Sequence, residues 1–315
     1  MIANAERTVL LSSLGWIDHD ALWRFDVRAS RVDSIPLASG ARYVSLHASG
    51  SDTFAVAHHF DGARAEVTVR RITDPARVLA RAAVGDGTAT VSGDSGAWAS
   101  VPGLYVVYLG FEPWKDFVLL MISSAMGRVE VQRLVWYDNS YDKMYQGVVD
   151  VLEIPGEGSA LISVQRSSRL ILHDLATGAQ KGFVDLAGQL GNPRLQWRSA
   201  AREMWASDYD TIVVIDPQEW RATRSARVQG SANGTQKFIG EYSFGPDGAC
   251  IVARPFSGDV VSLDPSTLRI RHVANVGRQP LEAVALPGGE VVARDWKTGD
   301  LLRDSLRRRG IFGRS

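Results

Sequence analysis

The residues best suited to chemistry stand where short apolar runs give way to loops. His58, Arg254 and Arg294 each close such a run, Gln165 and Ser207 hold the matching place in two more, and Trp16, Trp114 and Trp296 lie close by in sequence. Two arginines suit bidentate contact with a carboxylate or phosphate. The tryptophans offer flat apolar walls, and His58 or its neighbour His59 is an acid/base candidate. Gathered at one mouth, these groups suit a small anionic or polyhydroxylated ligand. The competing reading is structural: polar strand ends pair across neighbouring units, with Asp208, Asp210 and Asp295 as available acids.

Other chemistries find less support. Adjacent residues on a strand point to opposite sides, so His58 and His59 do not readily share one ion. No HExxH motif, paired CxxC or EF-hand loop occurs, and neither a metal nor a cofactor is expected. A Walker-type phosphate loop and a GxSxG elbow are missing as well. The single cysteine, Cys250, lies in the apolar run 249–253 and reads as a buried structural thiol. One cysteine forms no intramolecular disulfide, which suits a reducing, cytoplasmic setting.

Acidic and basic residues balance at 35 each. Without a basic excess, nucleic acid is not an expected partner. The one dense basic run, Arg307, Arg308 and Arg309, reads as a solvated chain end. The apolar run 8–14 is too short to span a bilayer and reads as a strand, so no membrane partner is expected.

The elements that position these residues come from a repeat. Residues 153–165 with 169–178, 243–254 with 259–268, and 285–294 with 299–304 lay over one another. Each reads as strand, Gly-rich turn, strand, loop, strand, Asp-headed turn. The turn recurs at Asp26, Asp74, Asp174, Asp216, Asp264 and Asp304, with Ser123 in the place of a seventh. An aspartate there accepts backbone N–H bonds two residues on, so its role is to order a hairpin. A period of roughly 40–50 residues matches a four-stranded propeller blade.

This pattern resembles the Asp-containing repeats of YVTN-type and WD-repeat β-propellers, over most of the chain. The Tyr-Val-Thr-Asn signature and regular Trp-Asp dipeptides are absent, so the resemblance implies fold far more than function. The expected architecture is all-β: one seven-bladed propeller domain over 1–315, with blades at 1–38, 39–86, 87–138, 139–188, 189–230, 231–277 and 278–315. Blade one shows strands at 8–14, 21–25 and 32–37 and no obvious innermost strand, which Ile311-Phe312 can supply. Six blades are the alternative, if the first segment merges with the last.

Loops between second and third strands then share a face with the links between blades, around one mouth of the channel, the default ligand site. The reading favoured is a non-catalytic scaffold that uses this polar, aromatic face for a ligand or a protein partner. The alternative is a lyase, isomerase or hydrolase at the channel mouth, with His58 or His59 as acid/base and Arg254 and Arg294 holding an anionic substrate. An enzyme calls for a pocket where these residues converge. A scaffold calls for those residues paired off in bridges between blades, and for an exposed aromatic patch.

Overall fold

The computed structural model describes residues 2–3, 8–11, 21–37, 41–49, 52–61, 64–84, 91–98, 104–111, 116–123, 128–135, 148–154, 157–164, 168–174, 177, 179–186, 193–198, 200–228 and 239–308. Among them every regular element is a strand, and the strands form seven antiparallel sheets. Blade one is β1 (Ile2–Ala3), β2 (Thr8–Leu11), β3 (Ala21–Asp26) and β4 (Arg31–Pro36). Blade two is β5 (Ala41–Ser49), β6 (Asp52–Asp61), β7 (Arg64–Arg71) and β8 (Asp74–Val84). Blade three is β9 (Val91–Trp98), β10 (Leu104–Phe111), β11 (Asp116–Ser123) and β12 (Arg128–Val135). Blade four is β13 (Val148–Ile154), β14 (Ser159–Val164), β15 (Arg169–Asp174) and β16 (Gln180–Asp185). Blade five is β17 (Arg194–Arg198), β18 (Glu203–Asp208), β19 (Thr211–Asp216) and β20 (Arg221–Arg227). Blade six is β21 (Tyr242–Phe244), β22 (Cys250–Arg254), β23 (Asp259–Leu263) and β24 (Ile270–Asn275). Blade seven is β25 (Pro280–Ala285), β26 (Glu290–Asp295) and β27 (Leu301–Ser305), after which β28 (Arg307–Arg308) pairs with β24.

Each sheet is a meander, extended in blade six by the non-consecutive β28, and first strands meet around a common axis: β5 touches β1 and β9, β13 touches β9 and β17, and β25 touches β21 and β1. The contact of β25 with β1 closes the ring. Blade faces pack on one another, so inner strands are apolar on both sides. Thus Thr211-Ile-Val-Val-Ile-Asp216 in β19 buries its four central residues, and β22 buries Cys250, Ile251, Val252 and Ala253. The outer strand β20, Arg221-Ala-Thr-Arg-Ser-Ala-Arg227, is mostly exposed and polar, as a solvated sheet edge requires. Aliphatic clusters fill the seams, such as Leu161, Leu170, Val184, Met204 and Val213 between blades four and five.

The Asp-headed turns hold at Asp26, Asp174, Asp216 and Asp264. Asp26 Oδ1 accepts the N–H groups of Arg28 and Ala29 at 2.9 and 3.0 Å. Asp216 does the same for Gln218 and Glu219 at 2.7 and 3.1 Å, and Asp264 for Ser266 and Thr267 at 2.8 and 3.0 Å. Asp174 takes the N–H and hydroxyl of Thr177, both at 2.9 Å. These bonds hold the carboxyls of Asp26, Asp174 and Asp264 below the usual range. Ser123 ends β11 opposite Arg128, at its hairpin. Two positions differ. Asp74 follows the Ile72-Thr73 turn and opens β8, while Asp304 lies inside β27 and accepts its neighbour Ser305's N–H at 2.7 Å.

The chain ends also differ from expectation. The innermost strand of blade one is β1, from the start of the chain. The arginine run is not a free end, because Arg307 and Arg308 pair with Val273 and His272. Ile311 and Phe312 lie outside the described residues.

Cys250 is fully buried, and burial pushes its thiol far above the ordinary range. We expect a thiol reagent such as DTNB to leave the native protein unlabelled at pH 8 and to label one thiol after unfolding in guanidinium. Rapid labelling of the native fold contradicts this placement.

Candidate functional site

The second-to-third-strand turns and the links between blades do share a face. Between β24 and β25 the link turns at Gly277 and Arg278, both in the left-handed region. It sits against both flanking blades: the Gln279 N–H donates to Asp295 Oδ2 at 3.0 Å, and Gln279 O accepts the Trp296 N–H at 2.8 Å. On the blade-six side a Cβ on Gly258 would stand 3.1 Å from Arg278 O. Between blades five and six, the β18–β19 turn accepts the N–H groups of Val228 and Ile239 on Asp210 O and Tyr209 O, both at 2.5 Å.

Among the described residues of this face, several charges are paired within the fold. Arg254 clamps Asp259 across its own hairpin, with Nε 2.7 Å from Oδ1 and Nη2 on the other oxygen. Ser257 Oγ also donates to Asp259 Oδ1. Each side chain of that pair is only 12% exposed. Arg278 pairs with Asp300. Asp295 accepts the Lys297 and Thr298 N–H groups at 2.8 Å each. Its carboxyl lies below the usual range because these bonds, with the one from Gln279, outweigh the opposing effect of burial.

Arg254 and Arg294 do not share a register, contrary to the expectation from sequence. The turn bonds Gly245 N–H to Ala249 O and Leu286 N–H to Glu290 O are equivalent, as are Gly248 to Gly245 and Gly289 to Leu286. On that register Arg254 matches Asp295, and Arg294 matches Ala253. The ladders agree: Ala253 faces Val260 as Arg294 faces Leu301. A one-residue offset turns the two arginines to opposite faces of their blades. Arg294 is buried opposite Glu282 on β25, not turned toward Arg254's side of the sheet.

The remaining candidates are placed as follows. His58 and His59 are adjacent on β6, facing Val67 and Glu66 across the ladder. Ser207 is buried opposite Arg194. Trp296 follows Asp295 in its turn and is half-buried. Trp16, Trp114 and Gln165 lie outside the described residues. Among those residues no group of three His, Cys, Asp or Glu side chains can hold a metal ion.

A set of charges not singled out from sequence lines the first strands instead. Asp150 faces Ser163, Arg194 faces Ser207 and Glu282 faces Arg294 in equivalent registers, and Glu241 precedes β21 at the position matching Glu282. One charged group therefore stands at the same height in each of blades four to seven. Burial pushes the Glu241 carboxyl up, Glu282 and Asp150 push it further, and Arg194 opposes them. Glu241 is nonetheless exposed by surface area, as befits a group enclosed by blades but open to the channel. Glu282 lies lower than usual: burial opposes its charge, and neighbouring positive charges, Arg294 among them, outweigh it. Part of this set is structural, since Asp150 Oδ2 accepts the Leu195 N–H of the next blade at 2.7 Å. Aligning first strands on the following turn finds the acids, because Glu241 and Glu282 each precede it by four residues.

Among the described residues, bonds from side chain to backbone bridge neighbouring blades. Ser163 Oγ donates to Pro193 O at 2.6 Å, Tyr242 Oη to Trp205 O at 2.8 Å, and Ser243 Oγ to Ala283 O at 2.8 Å.

No protein-family model matches the chain, and no curated protein matches it. Solved structures do. The Cps50 (Swd1) β-propeller domain of Myceliophteria thermophila aligns with a TM-score of 0.68 at 12% identity, over 97% of this chain and 91% of that one. Raptor of Chaetomium thermophilum aligns with a TM-score of 0.66 at 11% identity, over 97% of this chain and 27% of that one. At such identity the likeness speaks for architecture alone, and it agrees with the closed ring of seven sheets among the described residues: the chain folds as a β-propeller.

Proposed function

We propose that the chain is an intracellular, non-catalytic scaffold that binds a protein partner through the face carrying the second-to-third-strand turns. One observation carries this reading. Among the described residues of that face, Arg254 with Asp259 and Arg278 with Asp300 are paired within the fold, while Tyr209, 57% exposed, stands at the tip of the β18–β19 turn. Its φ is +49°, a left-handed backbone that glycine or asparagine takes at lower cost. A large exposed aromatic held in that conformation suits contact better than folding. Val32 and Phe183, the other large exposed apolar side chains among the described residues, lie on outer strands. The test is photo-crosslinking in cells with benzoylphenylalanine in place of Tyr209, and in place of Phe183 as control. Discrete adducts from position 209 alone are expected. Absence of adducts at 209, or equal adducts at both positions, overturns the assignment.

The scaffold reading also predicts how the two arginines behave. Arg254→Ala leaves the Asp259 carboxylate without its guanidinium partner in a mostly buried site. We expect it to cost about 2–4 kcal/mol in equilibrium unfolding. Wild type and Arg254→Ala, screened by thermal shift against carboxylates, phosphates and sugars, are expected to show no ligand-induced stabilisation. A ligand that stabilises wild type and is lost in both Arg254→Ala and Arg294→Ala favours the small-molecule mouth instead.

A further inference from the structure

Among the described residues blade seven is the one sheet with three strands; every other sheet has at least four. The shortfall shows in burial. The third strands β15, β19 and β23 carry runs of four or five consecutive buried residues, whereas none of the five residues of β27 is buried. The cause can be traced to one position. Leu22, Leu170, Ile212 and Val260 are each 0% exposed. Each faces an aliphatic residue of its blade's fourth strand: Ile35, Val184, Ala226 and Ala274. Leu301 is the counterpart of Val260 in blade seven, meets no such partner strand among the described residues, and stays half-exposed.

The backbone of this edge is set for pairing. Asp295 donates its N–H to Asp300 O, and Leu306 to Gly289 O, both at 2.8 Å. Antiparallel pairing alternates, so residues 300, 302, 304 and 306 turn their backbone groups toward β26 while 301, 303 and 305 turn theirs outward. The Ser305 N–H is taken by the Asp304 carboxylate. That leaves Leu301 and Arg303 presenting N–H and C=O groups to a fourth strand. The Arg303 side chain is drawn aside by Glu290, by Ser30 Oγ at 3.1 Å and by the Phe25 ring at 5.9 Å. Neither described end of the chain fills the slot: β1 belongs to blade one, and after Leu306 the chain crosses to β24 as β28.

We propose that the outer edge of β27 is a strand-addition site, where an extended segment of a partner protein completes blade seven. The segment runs antiparallel to β27 and sets a small aliphatic residue against Leu301, as the chain's own fourth strands do in four other blades. Main-chain bonds at Leu301 and Arg303 supply affinity, and the aliphatic contact supplies register. This stands on the edge geometry and is independent of the loop-face reading above.

The test is amide hydrogen exchange on the full chain, with a synthetic peptide of residues 269–277 as probe, a copy of the strand that covers blade six. In dilute protein the Leu301 and Arg303 amides should exchange at least about 100-fold faster than those of Leu302 and Asp304. Millimolar peptide should slow Leu301 and Arg303 at least about fivefold, and the same peptide carrying Ala274→Pro, which removes a ladder donor, should not. Protection of both amides in the dilute monomer, or no slowing by the peptide, overturns the proposal. Protection that rises with protein concentration alone, in step with a dimer seen by light scattering, assigns the edge to a second copy and overturns it equally.

Discussion

Gly240→Ala should destabilise the fold by about 3 kcal/mol or more, although it adds a single methyl group. A Cβ at this position would stand 2.1 Å from Leu281 O, 2.8 Å from its carbonyl carbon and 3.1 Å from its Cα. All three atoms are backbone, so no side chain can swing aside. Relief requires β25 to move away from the segment leading into β21. That movement breaks the bond from the Glu241 N–H to Leu281 O, now 2.7 Å, and strains the one from the Gly240 N–H to Ala253 O at 2.8 Å. The first ties blade six to blade seven, and the second ties the first strand of blade six to its second. A buried N–H without its acceptor adds to the steric cost. Gly182→Ala is the control, because a Cβ there meets nothing within 4 Å. It should leave stability within about 1 kcal/mol of wild type or raise it slightly, through the unfolded chain. Urea unfolding of the two variants beside wild type decides the matter. Equal midpoints for all three would show that blades six and seven are not locked at Gly240.

How much of this was legible in the sequence depends on which force sets each feature. Blade boundaries were legible because turn chemistry is local: Asp26, Asp174, Asp216 and Asp264 advertise their hairpins by residue type, and the sheets fall into the segments so delimited. Register was not. Ile251-Val-Ala-Arg254 and Val291-Val-Ala-Arg294 match by eye, yet the turn bonds set the true correspondence one residue further along. Side-chain direction alternates along a strand, so that single step separates Arg254, on its hairpin partner Asp259, from Arg294, opposite Glu282. The same step displaces Asp304 from the turn it appeared to head. The charges of the first strands escaped notice because equivalent positions there carry acid in blades four, six and seven and base in blade five, and alternating sign hides a repeat. The two-residue β1 and β28 have no periodicity to read; tertiary contact alone makes them strands.

The largest effect of any single side-chain truncation is expected at Trp205. Among the described residues it is the largest of the fully buried side chains, and it fills the seam between blades five and six beside Ile212, Val214, Cys250 and Val261. Its ring meets Phe244 edge-on, with centroids 5.2 Å apart and planes at 87°, the arrangement aromatic pairs favour. The indole N–H donates to Glu203 Oε2 at 3.2 Å, an oxygen that also receives Arg198 Nη1 at 3.1 Å. Arg224 takes the other oxygen. Those donors hold the Glu203 carboxyl below the usual range against the opposing effect of burial. Trp205→Ala therefore removes a core volume that surrounding strands cannot refill, one aromatic contact and one hydrogen bond, for about 3–5 kcal/mol in equilibrium unfolding. Trp205→Phe keeps much of the volume and should cost less, with most of its loss arising from the indole bond and the gap left by the second ring. Tyr209→Asn, four positions on, trades a strained exposed aromatic for a residue that tolerates the same backbone, and should be neutral or slightly stabilising. Chemical denaturation of the three variants separates the roles. If Tyr209→Asn destabilises as much as Trp205→Ala, Tyr209 belongs to the fold and its place at the interaction face is lost. If it is neutral, its exposure and backbone strain remain to be explained by contact with a partner.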